Sequence, residues 1–246
     1  MNSTSWLHYY QQNRLNRPEP QWDLALPDDS SALRKLARSL SHFQLGESGE
    51  GTFLLRQAQR THADDPAYCE ALALFIQEEQ EHARLLQKLV ARCRGRLVTK
   101  HWTHSLFRSI RHALGVGFEI QVLVIAELIG TAYYRLLGRL ASDAVLKEVC
   151  EIVLRDEAKH IAFHAERFEM DQAGWLPLEQ ALWAAQFQAL FLAAVQVAWM
   201  DHGPALRALG AQRREFRREA RSECIRFLAS FAAAGARESV PKLAGQ

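Results

Sequence analysis

The amino-acid sequence contains the same short pattern of acidic and histidine residues twice. Residues 77–82 read Gln-Glu-Glu-Gln-Glu-His, and residues 155–160 read Arg-Asp-Glu-Ala-Lys-His. In each copy the histidine follows a glutamate by three positions. Residues three apart lie on one face of an α-helix, so each copy directs a carboxylate and an imidazole to the same point in space. Each copy is therefore typical of one half of a metal-binding site.

Another glutamate precedes each copy at a similar distance. Glu50 lies 29 residues before Glu79, and Glu127 lies 30 residues before Glu157. Each half of the chain is therefore predicted to form a helix with one glutamate, a turn, and a helix with the Glu-x-x-His pair. Two such hairpins packed antiparallel predict an all-α four-helix bundle whose carboxylates and imidazoles project inward. The six predicted metal ligands are Glu50, Glu79, His82, Glu127, Glu157 and His160.

The first of these ligands has an alternative in the sequence. Glu47 lies three residues before Glu50 and shares its face of a helix. Glu50 fits the spacing of the repeat better, so it is the predicted ligand and Glu47 is the alternative.

Charge balance favours a metal site over a purely structural role. Four ionised glutamates carry four negative charges, which two divalent cations balance, while neutral imidazoles add no charge. Without metal, the same four carboxylates would repel one another inside a core. The sequence therefore predicts two bound cations.

The two copies resemble motifs of the ferritin-like superfamily of di-iron carboxylate proteins. Residues 78–83 (Glu-Glu-Gln-Glu-His-Ala) resemble the second-helix motif of ferritins. Residues 156–160 (Asp-Glu-Ala-Lys-His) resemble the fourth-helix motif that ribonucleotide reductase small subunits share with related oxygenases. The resemblance covers roughly residues 30–172 and implies a ferritin-like antiparallel bundle of two helical hairpins. It also implies that the site holds two iron ions, or one manganese and one iron, which react with O2.

Glu78 and Asp156 each stand directly before a predicted ligand glutamate. The resemblance implies that each hydrogen-bonds the non-ligating nitrogen of the histidine in the opposite half, Asp156 to His82 and Glu78 to His160. Such a bond orients the imidazole and fixes its tautomer. The alternative is that both are solvated acidic residues on a helix surface.

Two further residues share helix faces with predicted ligands. His164 follows His160 by four residues, and Tyr134 stands two helical turns beyond Glu127. The sequence favours core packing for both, and the alternative is a place in a substrate pocket or, for His164, a role as an extra ligand. In ribonucleotide reductase small subunits a redox-active tyrosine commonly follows the second-helix histidine by four residues. Leu86 occupies that position here.

Composition limits the remaining classes of function. The chain has 246 residues and 48% hydrophobic content, which is enough to bury one large core. Its formal net charge of +2 gives no strong field of one sign, so we expect no nucleic-acid partner. The four cysteines are scattered and form no Cys-x-x-Cys pair, and we expect no secretory leader. These features predict reduced thiols in the cytoplasm and, without a rubredoxin-like centre, an external electron donor.

The predicted domain organisation is one helical unit between two shorter ends. Residues 1–29 are predicted to form an N-terminal arm laid over the bundle. Residues 30–233 form the bundle with about two additional C-terminal helices, and residues 234–246 form a flexible tail. Helices are expected near residues 30–62, 65–93, 104–140, 143–172, 177–200 and 211–233.

The helix predicted at residues 177–200 is mostly apolar but is interrupted by glutamate and glutamines. Its longest apolar run is far below the ~18 residues that indicate a membrane span, so we expect no integral membrane segment. We expect this helix to cover the bundle or to form the interface of a homodimer. The tripeptide His202-Gly203-Pro204 predicts where it ends.

Three classes of function are compatible with these features. The first is an oxidoreductase that activates O2 at a di-iron or manganese/iron site and oxidises an unidentified organic substrate, by hydroxylation, N-oxygenation, desaturation or aldehyde deformylation. The second is ferroxidase or other iron-handling activity, although the helices predicted at 177–233 have no obvious place in a storage cage. The third is a helical protein that metal stabilises without turnover. Carboxylates and imidazoles together suit iron or manganese, and the first class is the predicted one.

Overall fold

The computed structural model describes residues 2–26, 30–101 and 115–238. All regular secondary structure in these ranges is helical, so the described chain is an all-α helical bundle. The helices are α1 (Ser3–Leu15), α2 (Ser30–Glu47), α3 (Thr52–Thr61), α4 (Pro66–Arg92), α5 (Val116–Leu140), α6 (Ala144–Asp171), α7 (Pro177–Ala208) and α8 (Arg213–Glu238).

The two motif-bearing helices, α4 and α6, each begin at an aspartate that caps the helix. The Asp65 carboxylate accepts a hydrogen bond from the Tyr68 backbone N–H at 3.0 Å, and the Asp143 carboxylate accepts one from the Val145 N–H at 3.3 Å. Each bond satisfies a backbone donor of the first helical turn. Arg92, at the end of α4, donates two hydrogen bonds of 2.8 Å to Asp143. The end of one motif helix is thereby joined to the start of the other.

The helices pair in chain order around α4 and α6. Helix α2 packs along α4, and α5 packs along α6, so each motif helix lies against the glutamate-bearing helix that precedes it. Helices α4 and α6 also contact each other. Helix α1 lies on α4, while α7 and α8 pack on α5. The result is two helical hairpins with one helix added before them and two after them.

The helix predicted at residues 30–62 is interrupted, which corrects the expectation from the sequence. Helix α2 ends at Glu47, and a short loop precedes α3. Gly51 in this loop has φ +60°, in the left-handed region that glycine adopts at little cost. A Cβ atom at Gly51 would lie 2.6 Å from Ile76 Cδ1, so the loop also needs an approach that only glycine allows. The glycines therefore produce a break, and Glu50 lies outside the helix.

The segment predicted as an N-terminal arm contains helix α1, which packs into the bundle. Trp6 is 4% exposed and Tyr10 is 1% exposed. The Trp6 indole N–H donates a hydrogen bond to Glu166 on α6. Because α1 lies on α4 and bonds to α6, it ties the two motif helices together from outside.

Helix α7 continues past the predicted stop, so the end predicted at His202-Gly203-Pro204 is wrong. Pro204 removes one backbone donor from the helix, but α7 reaches Ala208. Ala205 and Leu206 follow the proline and are 2% and 0% exposed. Their burial offsets the lost hydrogen bond and keeps the last turn helical.

Two predicted segments fall partly outside the described residues. Of the helix predicted at 104–140, residues 102–114 lie outside them, and the described part begins at Val116. Helix α8 extends to Glu238, so residues 234–238 of the predicted tail are helical. Residues 239–246 lie outside the described residues.

Two helices are long and apolar enough to cross a membrane by length and composition. The most apolar window of Val116–Leu140 is 72% buried, as in a core helix, whereas that of Pro177–Ala208 is 22% buried. Core helices of soluble proteins pass the same test, so length and composition assign neither helix to a membrane. The homodimer interface expected on α7 stays a prediction. Large exposed side chains on this helix are Leu178, Leu182, Leu192 and Met200.

Candidate metal centre

The two Glu-x-x-His pairs meet at the contact between α4 and α6. Donor atoms of Glu79, His82, Glu157 and His160 all lie within 4.8 Å of one another. His82, Glu157 and His160 are at most 2% exposed. Two donors that bind one ion at about 2.1 Å are at most about 4.2 Å apart, so small side-chain rotations would suffice to close this set on an ion. The four residues could therefore hold a metal ion.

The Nδ1 atoms of both histidines face the two glutamates. His160 Nδ1 lies 2.9 Å from Glu79 Oε1 and 3.6 Å from Glu157 Oε2. His82 Nδ1 lies 3.7 Å from Glu79 Oε1 and also 3.7 Å from Glu157 Oε1. Within the described part of the chain, four of these buried atoms have no aligned hydrogen-bond partner: Glu79 Oε1, His82 Nδ1, Glu157 Oε2 and His160 Nδ1. Buried polar atoms seldom stay unsatisfied, so this convergence fits a cation that binds all of them.

The opposite nitrogen of each imidazole faces a carboxylate of the other motif helix. His160 Nε2–H donates to Glu78 Oε2 at 2.9 Å, and His82 Nε2–H points to Asp156 Oδ2 at 3.4 Å. These are the two pairs expected from the sequence. Glu78 is 0% exposed and Asp156 is 2% exposed, so neither is a solvated surface residue. With Nε2 protonated, each imidazole keeps its Nδ1 lone pair for the centre.

Helix α1 supplies residues that the sequence analysis missed. Asn13 donates hydrogen bonds from its amide to Glu78 and, at 3.4 Å, to Asp156. Arg17 donates to Glu78 at 3.3 Å. One asparagine therefore bridges the two carboxylates that orient the histidines. Helix α1 has no strong apolar stripe and no motif, so the sequence carried no signal of this role.

Glu47, rather than Glu50, interacts electrostatically with the four-residue cluster, while the choice of ligand between the two stays a prediction. Glu47 is the last residue of α2, and its carboxylate interacts electrostatically with Glu79 and Glu157. Glu50 stands in the following loop and is exposed. Glu47 and Glu50 both line a cavity next to the cluster. The repeat spacing favoured Glu50 only on the assumption of an unbroken helix.

Glu127 and His164 face each other beside the cluster. His164 Nε2 lies 3.4 Å from Glu127 Oε1, and the two residues are 0% and 6% exposed, respectively. Among the residues that the structure describes, three atoms of this pair have no hydrogen-bond partner: both ring nitrogens of His164 and Oε2 of Glu127. Buried ring nitrogens are usually satisfied, so these two favour the alternative of a pocket or ligand role over core packing, and the role of His164 stays a prediction. Neither belongs to the group of four whose donor atoms converge within 4.8 Å among the described residues.

Protonation reflects how strongly the buried carboxylates repel one another. Burial and the charge of Glu79 raise the pKa of Glu47 well above its usual range, and the same two causes raise the pKa of Glu157 to about 7. Burial disfavours protonated His160, but Glu79 and Glu157 outweigh it and raise the pKa of that imidazole. Burial also opposes ionised Glu79, but a hydrogen bond from Glu47 and the charge of His160 lower its pKa. In the metal-free protein, protons thus neutralise part of the carboxylate charge that bound cations would otherwise neutralise.

A cavity of about 580 Å³ adjoins the carboxylates. Glu47, Glu79, Glu127 and Glu157 line it together with buried Glu119, which the sequence analysis did not single out. Much of the remaining wall is apolar. Its apolar side chains include Phe43, Phe53, Phe75, Ile76, Val122 and Val197.

Two tyrosines lie close to the centre. Tyr134 is 1% exposed, and burial and the charge of Glu47 raise its pKa well above the usual range. It is not among the residues that line the cavity, within the described ranges. Tyr10 comes from α1, and its ring centroid lies 6.2 Å from that of His160. The sequence analysis missed Tyr10 because nothing in the sequence links α1 to the centre.

Comparison with known proteins adds no family to this geometry. No protein-family model matches the chain. A search of curated proteins finds no match either. The function is therefore argued from the residues and their arrangement.

Proposed function

We propose that this chain is an oxidoreductase that activates O2 at a dinuclear carboxylate centre and oxidises an organic substrate. The observation that carries the proposal is the convergence, at the contact of α4 and α6, of buried carboxylate and Nδ1 atoms that lack partners within the described residues. Two iron ions, or one manganese and one iron, would supply the electrons that reduce O2. The pairing of the hairpins supports a ferritin-like four-helix bundle around them.

The donor set fits two divalent cations. Glu79 and Glu157 each lie within 3.7 Å of both His82 Nδ1 and His160 Nδ1, so either carboxylate could bind together with either histidine. Four carboxylates balance the charge of two divalent ions, and oxygen donors mixed with imidazole suit iron and manganese. The proposed ligands are Glu47 in place of Glu50, with Glu79, His82, Glu127, Glu157, His160 and His164.

Residues around the centre prepare it to bind metal. Glu78 and Asp156 hold the Nε2 protons of the two histidines, which leaves the Nδ1 lone pairs directed inward. Asn13 fixes both carboxylates at once. An imidazole oriented in advance loses less freedom when an ion binds, so these contacts favour tight binding.

The adjoining cavity favours an enzyme over an iron-handling protein. At about 580 Å³, its volume lies in the range of pockets that hold organic ligands, roughly 300–1,000 Å³. Its apolar side chains would exclude water from a bound substrate. A mostly apolar substrate with few charged groups fits this wall.

The proposal is tested by metal content and O2 consumption of the full chain. Protein from iron-replete cells should contain two equivalents of iron or manganese, and Glu127→Ala and Glu157→Ala should each abolish assembly of the dinuclear centre. The Glu157→Ala variant loses a carboxylate that could bind together with either histidine and should bind less than one equivalent tightly. After anaerobic loading with Fe²⁺, the parent should consume O2 faster than either variant.

A matched control is Glu166→Ala, which removes a glutamate on the same helix that bonds to Trp6 rather than to the centre. It should keep the parent's metal content. Zinc alone in the parent, or two tightly bound irons in either ligand variant, would overturn the proposal. Oxidation of iron without any effect of a cavity-filling variant, Ala126→Phe, would instead favour iron handling, since Ala126 lines the cavity.

A further inference from the structure

A second group of metal-ligating side chains lies outside the Glu/His centre. Donor atoms of His42, His101 and Asp201 all lie within 4.8 Å of one another. His42 belongs to α2, His101 follows α4, and Asp201 belongs to α7. Three separate parts of the chain therefore bring two imidazoles and one carboxylate to one point.

The side chains of this group are in direct contact. The rings of His42 and His101 are stacked, with centroids 3.8 Å apart and planes at 30°. His101 Nδ1 lies 3.5 Å from Asp201 Oδ2. His42 Nδ1 is buried and has no hydrogen-bond partner among residues 2–26, 30–101 and 115–238. A buried imidazole nitrogen without a partner costs free energy, and a bound cation would recover that cost.

The His42 imidazole is neutral at pH 7, as a metal ligand must be. Burial and the neighbouring His101 lower its pKa to about 4. Its lone pair is therefore available to a cation.

His202 stands beside the group but is fixed by other partners. Its Nδ1 hydrogen-bonds Ser39 Oγ at 2.9 Å, and Ser39 Oγ in turn bonds the Tyr133 hydroxyl at 2.8 Å. The His202 ring also packs 4.3 Å from the Phe43 ring. These contacts hold His202 beside the group, and it is not one of the three donors.

We propose that His42, His101 and Asp201 bind a divalent first-row transition-metal ion at a site separate from the Glu/His centre. Two imidazoles and one carboxylate form a donor set that proteins use for zinc and for ferrous iron, with at least one position left open. His42 and Asp201 line the same cavity as Glu47. His42 precedes Glu47 by five residues on α2, about 7.5 Å along the helix axis. The proposed site therefore borders the cavity at another part of its wall.

The test locates zinc directly in crystals of the full chain. Metal-free protein is crystallised, soaked with Zn²⁺, and measured at the zinc absorption edge. An anomalous peak within about 2.1 Å of donor atoms of His42, His101 and Asp201 is expected. A crystal with zinc only at the Glu/His centre, or with none, overturns the proposal.

Zinc stoichiometry in solution provides an independent measurement. The double variant His42→Ala/Asp201→Asn should bind one zinc equivalent fewer than the parent, with an unchanged helical circular dichroism spectrum. The control Glu79→Gln/Glu157→Gln should keep the zinc at His42 and Asp201, because none of its changes touches that group. Equal zinc content of parent and His42→Ala/Asp201→Asn contradicts the proposal. These outcomes do not depend on iron or O2, so the proposed oxidoreductase function can fail while this site stands.

Discussion

His160 Nε2 lies 2.9 Å from Glu78 Oε2, although the two residues are 82 positions apart in the sequence. This contact joins a histidine of α6 to a carboxylate of α4. The contact between His82 and Asp156 joins a histidine of α4 to a carboxylate of α6. Each histidine that faces the centre is thus oriented by the carboxylate that precedes a glutamate of the other motif. This crossed pairing means that neither motif helix can present its imidazole correctly without the other.

The first prediction follows from this pairing. Glu78→Ala should weaken metal binding about 10- to 100-fold, because His160 loses the acceptor that fixes its tautomer. The measurement is a competition titration with a chelator of known affinity. Glu81→Ala is the matched control: Glu81 lies on the same helix but pairs with Arg84 at the surface, at 2.7 Å. Equal losses in both variants would mean that the effect is one of general stability rather than of histidine orientation.

The second prediction distinguishes two glutamates that are three residues apart. Glu47→Gln should reduce bound iron well below two equivalents, because the Glu47 carboxylate interacts electrostatically with Glu79 and Glu157 in the centre. Glu50→Gln should leave the metal content unchanged, because Glu50 is exposed in the loop after α2. Metal analysis of both variants decides the assignment. The reverse result would restore the ligand set predicted from the repeat spacing.

Glu47 ends α2 and Glu50 lies in the loop after it, and the sequence alone could not predict this difference in position. The helices that carry the motifs were predicted to within one or two residues, because Asp65, Pro66 and Asp143 are local capping signals. The break after Glu47 accompanies a close approach of Gly51 to Ile76, where an added Cβ atom would lie 2.6 Å from Ile76 Cδ1. Glycines near Glu47 are compatible with a continuous helix and with a break, so only tertiary packing separates the two.

Long-range packing also explains the other differences. Leu206 is fully buried and keeps α7 helical beyond Pro204, against the local preference of proline. Asn13 bridges Glu78 and Asp156 from a helix whose sequence lacks apolar periodicity. The partners of Glu78 and Asp156 were predictable, because the resemblance to a known motif carries three-dimensional information that propensity lacks.

The third prediction concerns the stability of the metal-free protein. The pKa of Glu157 is raised to about 7, and the pKa values of Glu47, His82 and His160 are raised as well. A group whose pKa is higher in the folded state stabilises the fold while it is protonated and loses that contribution as pH rises. The free energy of unfolding of metal-free protein should therefore fall as pH rises from about 4.5 through about 7.

Thermal melts of metal-free and iron-loaded protein across this pH range test that sign. Bound metal stabilises the fold by RT ln(1 + [L]/Kd), about 2.7 kcal/mol at a hundredfold excess over Kd. Because ligands must be deprotonated to bind, the difference in melting temperature between the two forms should widen as pH rises. A buried ligand cluster would be contradicted if this difference in melting temperature narrowed toward high pH. It would also be contradicted if metal did not change the melting temperature.

The last prediction concerns the tyrosines near the centre. Leu86 occupies the position that carries a redox-active tyrosine in ribonucleotide reductase small subunits, but α1 places the Tyr10 ring 6.2 Å from that of His160. Oxidation of a buried phenol requires that its proton pass to a group within hydrogen-bond reach. In the part of the chain that the structure describes, the hydroxyls of Tyr10 and Tyr134 have no hydrogen-bond partner. Burial raises the pKa of both well above the usual range, so neither phenol loses its proton spontaneously.

We therefore expect iron-loaded protein exposed to O2 to form no long-lived tyrosyl radical, as measured by electron paramagnetic resonance. Oxidising equivalents that no tyrosine intercepts then remain available to a substrate in the cavity. A radical signal in high yield that disappears in Tyr10→Phe would show that Tyr10 does transfer its proton. Such a signal would move the chain toward radical generation and away from substrate oxidation, while its retention in Tyr10→Phe and loss in Tyr134→Phe would place the radical on α5 instead.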